Sequence, residues 1–128
     1  MTVVEGDAFA LADIEGAFDG GLAMQWWSHV PYARRGEFLA RWHGRLAPGS
    51  AVFLGDNQLT PPWDACLVRR PGEADTYEPR TLPDGSSYVI VKNYFTAAEL
   101  QATFASHAAG DVQVTMGTRW WWLSYRLP

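Results

Sequence analysis

The chain has 128 residues and a mass of 14.3 kDa, which points to one domain over residues 1–128 with room for one hydrophobic core. Hydrophobic residues make up 48% and charged residues only 19%, a balance that excludes disorder. Ten bases, nine of them Arg with Lys92 alone, face 14 acids for a net charge of −4, so no basic stripe marks a nucleic-acid partner.

Nothing in the chain approaches the roughly 18 apolar residues that a membrane span needs. The first twenty residues carry Glu5, Asp7, Asp13, Glu15 and Asp19 and no base, the reverse of a signal peptide. The single Cys66 has no internal disulfide partner, and the scattered His residues lack metal-site spacing. The expectation is a cytoplasmic protein with no metal and no membrane partner.

Thr2-Val-Val-Glu5 reads as a short strand, followed by a turn over Gly6–Phe9. Phe18–Met24 is a second apolar stretch, whose Gly20-Gly21 fits a strand approached closely by another backbone or a ligand. Residues 33–47 read as a helix, with Phe38, Leu39, Trp42 and Leu46 on one face and four Arg on the other. Pro48-Gly49 ends it, and Ala51–Leu54 is wholly apolar, the pattern of a strand covered on both faces. Residues 57–75 read as loop. Thr76–Leu82 and Ser86–Val91 flank Pro83-Asp84-Gly85 and predict a hairpin. Thr96-Ala-Ala-Glu99 is a capping box that opens a helix over about 97–108. Val112, Val114 and Met116 alternate, and Trp120–Leu127 follows a turn near Gly117-Thr118, which predicts a final antiparallel pair. In that last strand Trp121 points opposite to Trp120 and Trp122. If helices cover both faces all three are core; otherwise one face is an interaction patch.

This order resembles the C-terminal half of a class I S-adenosylmethionine-dependent methyltransferase. The resemblance is carried by Val4-Glu-Gly-Asp7-Ala-Phe-Ala-Leu and by Phe18-Asp-Gly-Gly-Leu-Ala-Met-Gln-Trp-Trp-Ser-His29-Val-Pro. It continues through Arg45-Leu-Ala-Pro-Gly49-Ser-Ala-Val-Phe-Leu-Gly-Asp56-Asn, and through Lys92-Asn-Tyr-Phe-Thr-Ala-Ala-Glu-Leu and Trp121-Trp-Leu-Ser-Tyr-Arg-Leu. The family sheet has the order 3-2-1-4-5-7-6. The resemblance implies a partial α/β, Rossmann-like sheet. Residues 2–5 match its third strand, 18–24 the fourth, 51–55 the fifth, and 111–117 and 119–127 the sixth and seventh, with the 76–91 hairpin as an insertion. The first two strands, the Gly-rich cofactor turn and the acidic residue that holds the ribose have no counterpart in this sequence. The strand 18–24 then becomes an exposed edge, and exposed edges pair with what is available. The expectation is a homodimer, or a complementing chain docked on that edge.

The cofactor implied by the resemblance is S-adenosylmethionine and the substrate a small molecule. Asp7 would accept from the adenine amino group, with Ala8 and Phe9 against the ring; on residue type alone Asp7 reads first as a turn or cap residue at Gly6-Asp7. Ala23 and Met24 would face the cofactor, and Gln25, Trp26 and Trp27 the substrate, since open α/β sheets bind ligands at strand C-terminal ends. Either Trp could instead pack on the following helix. His29 is the candidate general base, against the alternative of a loop histidine bonded to backbone. Asn57 and Tyr94 would line the acceptor side, or else serve as turn and cap residues. The competing function is a non-catalytic, truncated methyltransferase-like subunit that binds a partner.

Overall fold

The computed structural model describes residues 2–11 and 14–128. Strand β1 (Phe18–Met24) leads through two short 3-10 turns, Trp27–His29 and Tyr32–Arg34, into helix α1 (Arg35–His43). Strand β2 (Leu46–Asn57) returns parallel to β1, with Gly20 opposite Ala51 and Met24 opposite Gly55. A 3-10 turn, Trp63–Cys66, precedes β3 (Val68–Arg69), β4 (Thr76–Thr81) and β5 (Ser87–Val91). Helix α2 (Ala97–Ala105) then leads to β6 (Gln113–Met116) and β7 (Trp120–Arg126). The main sheet has the order β1-β2-β7-β6, with β7 antiparallel to both neighbours, and β3-β4-β5 form a separate antiparallel sheet.

The expected sheet therefore forms with its fourth-strand equivalent, β1, at the edge. The hairpin over 76–91 and the capping box also form: Thr96 Oγ1 accepts from Glu99 N at 3.2 Å, and Glu99 Oε2 accepts from Thr96 N at 2.7 Å.

Three expectations fail. Residues 2–5 form no strand, and Val3 and Val4 stand 82% and 63% exposed. In the family order this strand has one neighbour, and that neighbour has no counterpart here, so nothing would pair its N–H and C=O groups. The 33–47 helix is cut to α1, because the chain turns into β2 four residues earlier: Arg45 O accepts from Phe18 N at 3.1 Å. Pro48-Gly49 instead sits in an irregularity of β2, where the register jumps between Phe18↔Leu46 and Gly20↔Ala51 and Gly49 adopts φ +78°.

The third failure concerns coverage. Side chains alternate along a strand, so the register sorts the sheet into two faces. Ala23, Val52, Leu54, Trp121, Leu123 and Tyr125 are buried with Phe38 and Leu39 of α1 and Leu100 and Phe104 of α2. Phe18, Leu22, Met24, Phe53, Trp120 and Trp122 lie on the other face and are exposed. Phe53 is thus not covered on both sides as its apolar run implied. Both helices serve one face, and the other is the exposed patch that uncovered Trp residues predict.

Candidate functional site

β1 and β2 run parallel, so their C-terminal ends, Met24 and Asn57, lie at the same rim of the sheet. There the chain makes a tight exit from β1. Gln25 N donates to Gly55 O at 2.8 Å, and Gln25 adopts φ 53°, a conformation uncommon for a side-chain-bearing residue and often found where a chain is bent for function. The exit delivers two features: an apolar groove on the β1 edge and a polar cleft toward the small sheet.

The apolar groove, about 320 Å³, is lined by Ala8, Leu11, Leu22, Ala23, Met24, Trp26, Phe38 and Trp42. Leu22 and Ala23 belong to opposite faces of β1, so the groove straddles the bare edge of that strand. Phe9 packs beside it, 6.1 Å from the Trp26 ring and 6.0 Å from Phe38, with the Arg34 guanidinium 3.6 Å over its other side. Asp7 Oδ1 accepts from Phe9 N at 2.9 Å and Asp7 O from Ala10 N at 2.8 Å, a turn that leaves the carboxylate exposed. The buried indole N–H of Trp26 has no partner among the described residues. The structure thus brings Ala8, Phe9, Ala23, Met24 and Trp26 together, with Asp7 two residues from Phe9.

The polar cleft, about 280 Å³, contains Asn57, Tyr94, Lys92, Glu78, Arg80, Arg119 and Trp120 among its walls. Behind it lies a buried polar seam that ties the small sheet to the main one. Lys92 Nζ donates to Ser28 Oγ at 2.8 Å, Asp56 Oδ1 at 3.2 Å and Asn57 Oδ1 at 3.3 Å. Asp56 Oδ2 accepts from Ser28 N at 2.9 Å, and Ser28 O accepts from Asn93 N at 2.8 Å. Asn93 extends the seam to Thr76 N and to Asp75 Oδ1. Lys92 and Asp56 are both buried, so each charge needs the other: an unpaired charge here would lose its hydration without compensation. Burial raises the Tyr94 phenol above its ordinary pKa.

His29 lines neither cleft. Its Nδ1–H donates to Val91 O at 2.8 Å, which fixes the ring on β5. Trp27 is not brought to either cavity; it is 1% exposed, packed between Phe38 and Phe104. Gln25 is exposed beside Trp26. Sequence reasoning left out Ser28, Lys92, Glu78, Arg80 and Arg119. The only available signal was Lys92 itself, the one lysine of the chain, closing the apolar run Tyr88-Val-Ile-Val91.

Neither a scan of protein-family models nor a search of curated proteins gives a match. Solved structures do. The DhpI complex with SAM and HEP matches at a TM-score of 0.74 and 22% identity, over 98% of this chain and 56% of that one. PH0226 protein from Pyrococcus horikoshii OT3 matches at 0.70 and 11% identity, over 96% and 60%. The glycopeptide N-methyltransferase MtfA, complexed with S-adenosyl-L-homocysteine, matches at 0.60 and 14% identity, over 99% and 61%. This is a partial class I methyltransferase fold. The chain spans little more than half the length of these proteins. In this chain β1 lies at the edge of the main sheet, and the apolar groove runs along it.

Proposed function

We propose that the chain is the acceptor-side half of an S-adenosylmethionine-dependent methyltransferase acting on a small molecule, completed by a second chain docked on the β1 edge. The observation that carries this reading is the placement of two separate clefts, an apolar one that includes Met24 at the end of β1 and a polar one that includes Asn57 at the end of β2, on neighbouring parallel strands. Bound S-adenosylmethionine would supply an electrophilic methyl group on its sulfonium. The residues present fit part of that cofactor. Asp7, Ala8 and Phe9 offer an exposed carboxylate beside an aromatic surface for adenine, and the Trp26 side chain lines the groove next to them. Ala23 and Met24 form the floor of that groove. Among the described residues no Gly-rich turn and no second acid line that groove, so those anchors are assigned to the second chain.

On the acceptor side Gln25, Trp26, Asn57 and Tyr94 position the substrate, and orientation alone contributes much of the rate of a displacement of this kind. His29 is not assigned the acceptor's proton, because its ring is held on Val91 O and lines neither cleft. Trp27 supports Trp26 from the core rather than touching substrate.

Calorimetric titration of the chain with S-adenosylhomocysteine tests the reading. With only the adenine side in place, the expected dissociation constant is weak, on the order of 0.1–1 mM, and Asp7→Ala weakens it about tenfold. Absence of any saturable heat, or equal binding by Asp7→Ala, contradicts it. The uncovered face with Leu22, Trp120 and Trp122 favours a second reading, a non-catalytic subunit that binds a partner protein through that patch. A chain that associates but gives no cofactor heat is that subunit.

A further inference from the structure

The polar cleft is charged out of proportion to the molecule. Its walls carry Arg80, Lys92 and Arg119, three of only ten bases, but just one of fourteen acids, Glu78. The chain as a whole has a net charge of −4, so this concentration is local and opposed to the overall sign.

The three cations are not equivalent. Lys92 is fully engaged by Asp56, Ser28 and Asn57, so it supplies no free donor. Arg80 lies 3.3 Å from Glu78, whose side chain is only 4% exposed; the buried carboxylate holds the guanidinium at the mouth. Arg119 has no ion-pair partner among the described residues. Its guanidinium and the free donors of Arg80 suit a planar or tetrahedral anion, which Arg recognises through paired N–H groups. Tyr94 adds a phenol, and the Trp120 ring forms an apolar wall.

We propose that this cleft is a subsite for the anionic head group of a small organic acid, with its flat or apolar portion lying on Trp120. The proposal rests on the acceptor-side reading above for the ligand's role as methyl acceptor, but not on any donor chemistry. The volume of about 280 Å³ suits a small molecule and not a polymer. Glu78 offsets Arg80 and Asp56 offsets Lys92, which leaves Arg119 as the unbalanced charge, so the cleft favours an anion over a cation.

The test is a nitrogen-15 NMR titration of the whole chain with benzoate and, separately, with benzamide, which has the same ring and no charge. No methyl donor is present. Benzoate is expected to shift the Trp120 indole N–H saturably, and benzamide to bind roughly tenfold or more weakly. Arg119→Ala, at an exposed position, is expected to weaken benzoate by a similar factor, and Arg119→Lys to recover part of the loss. Arg80→Ala gives an independent second variant. Equal binding of the two probes, no saturable benzoate shift, or benzoate affinity unchanged in both alanine variants overturns the proposal. A chain that binds benzoate here yet gives no heat with S-adenosylhomocysteine loses the methyltransferase reading and keeps this one; the opposite result removes this subsite alone.

Discussion

Lys92 has the least freedom of any charged residue in the cleft. Its ammonium is shut between Ser28, Asp56 and Asn57, and Asp56 is fully buried. Lys92→Met leaves that carboxylate buried without a counter-charge, and the expected loss is about 3–5 kcal/mol. Urea unfolding measures it; a loss below about 1 kcal/mol would show that the pair does not hold the two sheets together. His43 is a second residue-scale test. Its Nε2 lies 2.7 Å from Tyr125 Oη, and burial, with a smaller push from His107, lowers its pKa to about 4. Folded His43 therefore binds fewer protons than unfolded His43, whose pKa is near 6.5. Its contribution is complete above about pH 6.5 and is lost as pH falls toward 4. Discounted for a half-exposed ring, it amounts to about 1–2 kcal/mol. His43→Gln should remove that part of the pH slope; an unchanged slope contradicts it. At this scale the site was only half legible. Asn57 was legible at the end of the run 51–55 and Tyr94 just ahead of the capping box, and both line the polar cleft. Arg80 and Arg119 could not, since only the packing of the hairpin against the main sheet puts residues so distant in sequence on one cleft.

Strand β1 carries the consequences at the scale of elements. Its inner face lies against α1 so closely that a Cβ on Gly21 would sit 2.9 Å from Trp42 Cζ2 and 3.0 Å from Leu46 Cδ1. Gly21→Val should therefore cost about 1–3 kcal/mol through overpacking, read as a lower thermal midpoint. A neutral effect would show that α1 can move aside. The outer edge is bare, with Leu22 69% exposed. Light scattering of the purified chain is expected to give a mass above 14.3 kDa, and Leu22→Lys with Met24→Lys to return it to the single-chain value. A wild-type chain that stays single at high micromolar concentration contradicts docking on this edge. Most elements were legible because their signals are local: the alternation of β6 and β7, the capping box of α2, the Pro-Asp-Gly turn of the hairpin. The failures were not local. Val3 and Val4 have strand propensity but no neighbour to pair with, and the apolar run of β2 could not reveal that one side of Phe53 lacks a covering layer.

At the scale of the molecule, the fold is a methyltransferase-like sheet whose buried face packs on α1 and α2, with β1 at its edge and one cleft at the end of each parallel strand. No helix among the described residues is long and apolar enough to cross a membrane. The polar cleft is walled by the two sheets together, whereas the apolar groove is open along β1. The most direct measurement is the nitrogen-15 NMR footprint of S-adenosylhomocysteine on the chain. Saturable shifts clustered on Asp7–Phe9 and Ala23–Trp26, with Asn57 and Tyr94 unmoved, are the predicted result. No shifts at millimolar ligand, or shifts centred away from the β1 rim, would contradict a half-built cofactor site.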